Sequence, residues 1–192
     1  MPLAEKIKRR YTYKDYLAWP DEERWEIIGG EAYNMSPAPG TRHQRVVNRI
    51  NIFLSTHKRL PERCSVFIAP TDVVLSEHDV VQPDVLVVCD DKKITEKNIQ
   101  GVPDLVVEVL SPNTAIKDKR EKRLLYEGVG IREYIIIDPT EQYVERYILN
   151  EDGSYGLPDI FGPKEVMKLE SFEEIEIPLW EVFETERPGE KE

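Results

Sequence analysis

The chain is poor in the residues on which several common chemistries depend. Of its 192 residues only two are cysteine, Cys64 and Cys89, and only three are histidine, His43, His57 and His78. Neither set has metal-ligand spacing, which argues against a zinc site, and the cysteines lack the C-x-x-C of a thiol redox centre. No apolar run approaches the roughly 20 residues that cross a bilayer. The opening stretch MPLAEKIKRRYTYKDY is basic without the apolar core of a secretory signal, so a reducing cytoplasm is the expected setting. Gly29-Gly30 lies outside any G-x-G-x-x-G or G-x-x-x-x-G-K-[ST] frame and Ser111 outside G-x-S-x-G. A dinucleotide fold, a P-loop and a serine-hydrolase elbow are therefore set aside.

Positive charge is also in deficit. The formal net charge is −11, which at first opposes a nucleic-acid partner, because phosphate binding leans on Lys and Arg. The excess is local, however. Residues 165–192 carry ten acidic side chains against three basic ones, whereas residues 1–20 carry five basic against two acidic. The run KDKREKR, Lys117 to Arg123, likewise holds five basic and two acidic groups. Net charge therefore conceals basic patches and is a weak guide to the partner.

What is present reads as one α/β domain over residues 1–184, with 185–192 as an acidic, disordered tail. Thr12 and Asp15 have the spacing of a capping box before YKDYLAW, which Pro20 stops. RWEIIGGEAYNM predicts a hairpin turning at Gly29-Gly30. SPAPG is a loop, and from Thr41 to about Leu60 the positions of Val46, Val47, Ile50, Phe53 and Leu54 predict an amphipathic helix. CSVFIAP, TDVVLS, PDVLVVC, DLVVEVL and EYIIIDP are strand-like, the last two apolar enough to be covered on both faces. Between those two, a helix is predicted from Ala115 to Tyr126, ended by Gly128 and Gly130. Strand, helix and strand in this order indicate a crossover within a mixed sheet. Peripheral strands around an NEDG turn and a short LWEVF element complete the chain.

Glu108 stands inside LVVEVL, where an unpaired carboxylate costs several kcal/mol, so it requires a partner. Asp84, between Pro83 and VLVV, is a second acid at a strand edge. Two carboxylates with backbone carbonyls and water form an oxygen-rich site suited to Mg²⁺ or Mn²⁺. Taken alone, each acid is equally well read as a salt-bridge or strand-end residue. Asp118, Lys122 and Tyr126, at i, i+4 and i+8, share one helix face and can meet the acids. An ammonium there can neutralise charge on a phosphate in transition. The plainer reading of that spacing is an exposed Asp118–Lys122 ion pair. His43, at the start of the long helix, suits phosphate contact, proton transfer, or simple capping and packing.

The series QPDVLVV, DLVVEVLSPNT, Asp118, Lys122, Tyr126 and EYIIIDP resembles the Uma-type restriction endonucleases, a branch of the PD-(D/E)XK nuclease superfamily. The likeness extends upstream through WEIIGGEAYNMSPAPGTRH and covers roughly Tyr11 to Tyr147. It implies a restriction-endonuclease-like core, a mixed central β-sheet flanked by helices, with Mg²⁺-dependent cleavage of DNA and metal binding by Asp84 and Glu108. Glu26 matches the acid of the family's opening hairpin, which implies a further site acid or a ligand to a metal-bound water; by its residues alone it reads equally well as a cross-strand polar residue. The superfamily lysine, two residues beyond the second acid, is here replaced by Leu110. The resemblance passes its role to Lys122, with Asp118, Tyr126 and His43 in support. Cutting both strands of a duplex with one small site makes a homodimer the expected assembly. Two other functions fit the same residues: a non-catalytic nucleic-acid-binding or interaction module, and a metal phosphodiesterase acting on RNA or nucleotides.

Overall fold

The computed structural model describes residues 10–20, 22–35 and 39–189. Residues 1–9 of the basic N-terminal stretch, Asp21, the first three residues of the SPAPG loop and the last three tail residues lie outside these ranges.

The chain opens with α1 (Tyr13–Tyr16), whose N-terminus carries the expected capping box: the Thr12 hydroxyl accepts from the Asp15 N–H and the Asp15 carboxylate accepts from the Thr12 N–H. The hairpin β1 (Trp25–Ile28) and β2 (Glu31–Asn34) turns at Gly29 and Gly30, both at positive φ. Helix α2 (Thr41–Thr56) buries Val46, Val47, Ile50 and Leu54, the stripe read from the sequence. Strands β3 (Ser65–Ile68), β4 (Val73–Ser76), β5 (Asp79–Val81), β6 (Val85–Val88), β7 (Ile99–Gln100) and β8 (Leu105–Val109) follow. A helical segment built from α3 (Ala115–Lys117), a π-turn over Asp118–Lys122 and α4 (Arg123–Val129) then leads to β9 (Glu133–Asp138). It ends at Gly130 in the left-handed region, two residues past the first glycine of the pair. Strands β10 (Tyr143–Ile148), β11 (Asp159–Phe161), β12 (Val166–Lys168) and β13 (Glu176–Pro178) precede α5 (Leu179–Phe183).

Two main sheets result. The larger has strand order β11-β10-β9-β8-β6-β3, and the smaller β2-β1-β5-β4-β7. Strands β8 and β9 run parallel, as the crossover required, while β6 and β8 are antiparallel. The larger sheet is covered on both faces, which explains its nearly unbroken aliphatic strands. On one face Leu105, Val107 and Val109 pack with α2, α5 and the β12–β13 ribbon; on the other Val106 and Leu110 pack with Tyr126 of α4 and with Ile28, Val73 and Val81 of the smaller sheet. Only Gln82, Pro83 and Asp84 separate β5 of the smaller sheet from β6 of the larger, so the sheets adjoin at that tripeptide.

Three of these features carry no signal in the residue pattern. Strand β5 follows a turn and, as DVV, is too short to show an alternation of its own. The π-turn interrupts what the periodicity presents as one α-helix. Cys64 and Cys89 lie one position beyond the Ser65↔Val88 pair of β3 and β6 and form a disulfide. Their separation of 25 residues carries no signal, because strand register alone brings the sulfurs together.

Leu54 is fully buried between α2 and the larger sheet. Leu54→Ala is expected to lower the unfolding free energy by about 2–5 kcal/mol, read as a shifted urea midpoint with an unchanged m-value.

Candidate active site

Strand alternation puts Glu108 on the same face as Val106 and Leu110, toward α4 and the smaller sheet. Because β6 and β8 pair Val85 with Val107, the antiparallel register sets Asp84 opposite Glu108. The Asp84 carboxylate is pinned by the Val109 N–H at 2.8 Å and meets His43 Nε2 at 3.1 Å. His43 comes from the first turn of α2 and is nearly buried, so it holds an acid rather than capping the helix. Glu26 enters from β1, fully buried, with its Oε1 accepting from the Gln82 N–H at 2.9 Å.

Lys122 joins these acids. Its Nζ lies 2.7 Å from Glu108 Oε1, 2.8 Å from Glu26 Oε1 and 3.6 Å from Asp118 Oδ1, with only 2% of the side chain exposed. The exposed-ion-pair reading of Asp118 and Lys122 is thereby overturned: both are buried and face the acids. Tyr126 donates its hydroxyl to Glu108 Oε1 at 2.9 Å. The π-turn occupies the stretch from Asp118 to Lys122, which directs both inward just before Tyr126 closes over Glu108. Leu110 is packed among apolar neighbours and supplies nothing to the cluster.

Sequence reasoning missed three participants. Lys117 pairs with Glu26 Oε2, Gln82 binds Glu26 through its backbone, and Arg24 donates Nε and Nη2 to Gln82 Oε1. Lys117 belongs to the basic run already singled out, but its partner lies 91 residues upstream. Thr114, which precedes α3, makes no side-chain cap; its hydroxyl meets that of Ser111. His57 and His78 stay outside the cluster. The former accepts from the Arg59 N–H and the latter meets the Tyr11 carbonyl.

Charge in the cluster is unbalanced. Glu26, Asp84, Glu108 and Asp118 face the ammonium groups of Lys117 and Lys122. Burial pulls the Lys122 ammonium down, but Glu108, Glu26 and Asp118 together more than reverse this, and its pKa ends well above the ordinary value. Burial pushes Glu26 up, yet Lys122 and Lys117 outweigh that and hold it below the usual carboxylate range. Glu108 is the acid left short. Burial, with Asp118, Asp84 and Glu26 nearby, drives it up to about 8 against the pull of Lys122. Asp118 is raised chiefly by burial, and its Oδ1 has no hydrogen-bond partner.

A cavity of about 90 Å³ opens on this cluster, lined among others by Arg24, His43, Asp84, Glu108, Asp118 and Lys122. Among the described residues no group of three or more His, Cys, Asp or Glu side chains forms a ready metal cage. A hard divalent cation held by two carboxylates, carbonyls and water does not need one. The donor set fits such an ion: four acids share two ammonium groups, and an orphaned carboxylate oxygen is buried beside them. A cation there would replace the proton that Glu108 otherwise retains.

Glu108 also sets a pH dependence. Its pKa rises from 4.5 to about 8 on folding, so the folded chain binds the extra proton between those values. The stabilisation is present in full below about 4.5 and is lost as pH rises through about 8. In EDTA, Glu108→Gln should therefore flatten the fall in stability between pH 5 and 9 seen in the parent, measured by urea unfolding. An unchanged slope would show that Glu108 does not carry it.

The fold has solved relatives. The crystal structure of a putative nuclease belonging to DUF820 from Anabaena variabilis superposes with a TM-score of 0.73 at 20% identity, over 90% of this chain and 97% of that one. At that identity the likeness establishes the fold. The uncharacterized protein slr1290 of Synechocystis sp. is 26% identical over 147 residues, covering 74% of this chain and 76% of the relative. Residues 13–179 match the family model described as "Uma2: Putative restriction endonuclease", and the chain belongs to that family.

Proposed function

We propose that the protein is a divalent-metal-dependent endonuclease that hydrolyses DNA phosphodiester bonds by water attack. One observation carries the reading: Asp84 and Glu108, adjacent across β6 and β8, open onto a cavity that Lys122 and Arg24 also line. Asp84 and Glu108 would hold Mg²⁺, or Mn²⁺ in its place. The ion would lower the pKa of the attacking water and offset charge on the phosphate.

The chain's own residues supply the remainder. His43 and the Val109 N–H orient Asp84, as outer partners orient metal-binding carboxylates. Tyr126 fixes the Glu108 carboxylate by donating to Oε1. Lys122 has three N–H donors and can turn one toward a phosphate oxygen while the others keep their carboxylates, stabilising the charge that builds in the transition state. Glu26 and Asp118 hold that ammonium protonated and in place. Arg24, on the cavity wall, is available to the phosphate as well. A symmetric dimer would provide the two sites that cutting both strands of a duplex requires.

A second reading has one observation in its favour. Lys122 is already satisfied by carboxylates, a state that a non-catalytic nucleic-acid-binding module could retain. Metal titration separates the two. Mg²⁺ should raise the thermal midpoint of the parent and leave Asp84→Asn unshifted, whereas a binding module would respond identically in both.

Plasmid, single-stranded DNA, RNA and a small phosphodiester incubated with Mg²⁺ or Mn²⁺ test the substrate class. DNA is expected to be cut, and preferential cleavage of RNA or of the small diester would move the assignment to another phosphodiesterase. Asp84→Asn, Glu108→Gln and Lys122→Met should each reduce cleavage by about 10²-fold or more while keeping the circular dichroism of the parent. Retained activity in all three would refute the site.

A further inference from the structure

Beside the acidic cavity lies a second one of about 570 Å³, which none of the reactions above uses. Its wall is aromatic. Tyr16, Trp19 and Trp25 line it, with ring centroids 5.7 Å apart for Tyr16–Trp19 and 5.6 Å for Trp19–Trp25, each pair edge to face. All three rings are half-buried, and the adjoining Leu17 is 63% exposed.

The second side of the cavity is polar and ordered. Gln82 Nε2 donates to Asp72 Oδ1 at 2.8 Å, the Tyr16 hydroxyl donates to the same oxygen at 2.8 Å, and Asn98 Nδ2 donates to the Tyr13 hydroxyl at 2.6 Å. Burial, reinforced by Asp72, pushes the Tyr16 phenol up, so it remains a donor. Flat rings facing fixed amide and carboxylate groups match the two properties of a nucleobase, a π-face and a hydrogen-bonding edge.

The two cavities share a wall. Arg24 and Gln82 line both, and Gln82 links them by hydrogen bonds, its backbone to Glu26 of the acidic cluster and its side chain to Arg24 and Asp72. A strand with its phosphate beside Asp84 and Glu108 would pass Arg24 and bring a neighbouring base to the rings. Stacking also answers the charge deficit, since a chain of net charge −11 draws less affinity from counterion release than a basic one.

We infer that the Tyr16–Trp19–Trp25 cavity is a subsite for one unpaired nucleobase of the substrate strand, stacked on the rings and read at its edge by Asp72 and Asn98, with Gln82 holding Asp72 in place. The inference rests on the nucleolytic reading for its substrate, and its test is kept separate from cleavage. Binding of the full-length protein to fluorescent oligonucleotides is measured in EDTA, where metal-dependent cleavage is stopped. Hydrolysis of bis(p-nitrophenyl) phosphate in Mg²⁺, a diester with no base, reports on the metal chemistry alone.

A single strand should bind on the order of tenfold more tightly than the same strand carrying abasic residues. Trp19→Ala should erase that preference and Trp19→Phe should keep it. Equal binding of base-bearing and abasic strands by the parent protein overturns the inference whether or not the variants fold, and so does a preference that survives in a folded Trp19→Ala protein. A duplex carrying 2-aminopurine identifies the source of the base. Brightening on binding shows a base drawn out of the helix, while tight binding of the single strand without such brightening assigns an already unpaired strand.

Discussion

The site depends on one buried ammonium. Lys122 sits among Glu108, Glu26 and Asp118, acids drawn from three different elements, with almost none of its side chain exposed. Removing one partner from such a group costs about 3–5 kcal/mol, because the remaining charges are left buried and unpaired. The cluster is therefore poor stabilisation for its size. An apolar core of the same volume would serve the fold at least as well. Four acids gathered around two ammonium groups at the mouth of a cavity make sense as a receptor for positive charge, and burial together with the neighbouring acids pushes the Glu108 carboxyl up accordingly.

The fold makes this arrangement possible by bringing two sheets together at one short connection. Gln82, Pro83 and Asp84 carry the chain from β5 to β6, so Glu26 on the smaller sheet and Asp84 and Glu108 on the larger converge without a long loop. The larger sheet is buried for ordinary reasons, aliphatic on both faces. The π-turn then sets Lys122 and Asp118 over the strand ends. A uniform α-helix would distribute those side chains differently, and a π-turn at a functional position is a common solution.

Much of this was legible in the chain. A carboxylate amid five aliphatics announces that Glu108 has a partner, Asp84 marks the start of the neighbouring strand, and Asp118, Lys122 and Tyr126 share a helix face at i+4 spacing. The long helix, the hairpin and the β8–β9 crossover followed from periodicity and turn chemistry in the same way. Glu26 was accessible only through resemblance, because nothing local in WEII distinguishes a site acid from a polar strand residue. Lys117, Gln82 and Arg24 were not accessible at all. Their roles arise from contacts between residues far apart in sequence, and the spacing of a single segment cannot encode them. The Cys64–Cys89 bond belongs to the same class, being a product of strand register.

The charge balance ties these observations to substrate choice. A nuclease with a surplus of lysine can hold DNA by its phosphates and position the cation afterwards. Here the acids outnumber the lysines in the cluster itself, and the chain as a whole is strongly acidic. On the proposed reading the divalent ion would offset Asp84 and take the place of the Glu108 proton, so that the scissile phosphate can settle beside both carboxylates. Affinity for the rest of the strand must then come from contacts that phosphate repulsion does not weaken. Arg24 would supply one such contact at the wall the cavities share, and the aromatic rings beyond it would supply another through stacking. Metal requirement and base stacking are thus two consequences of the same deficit of positive charge.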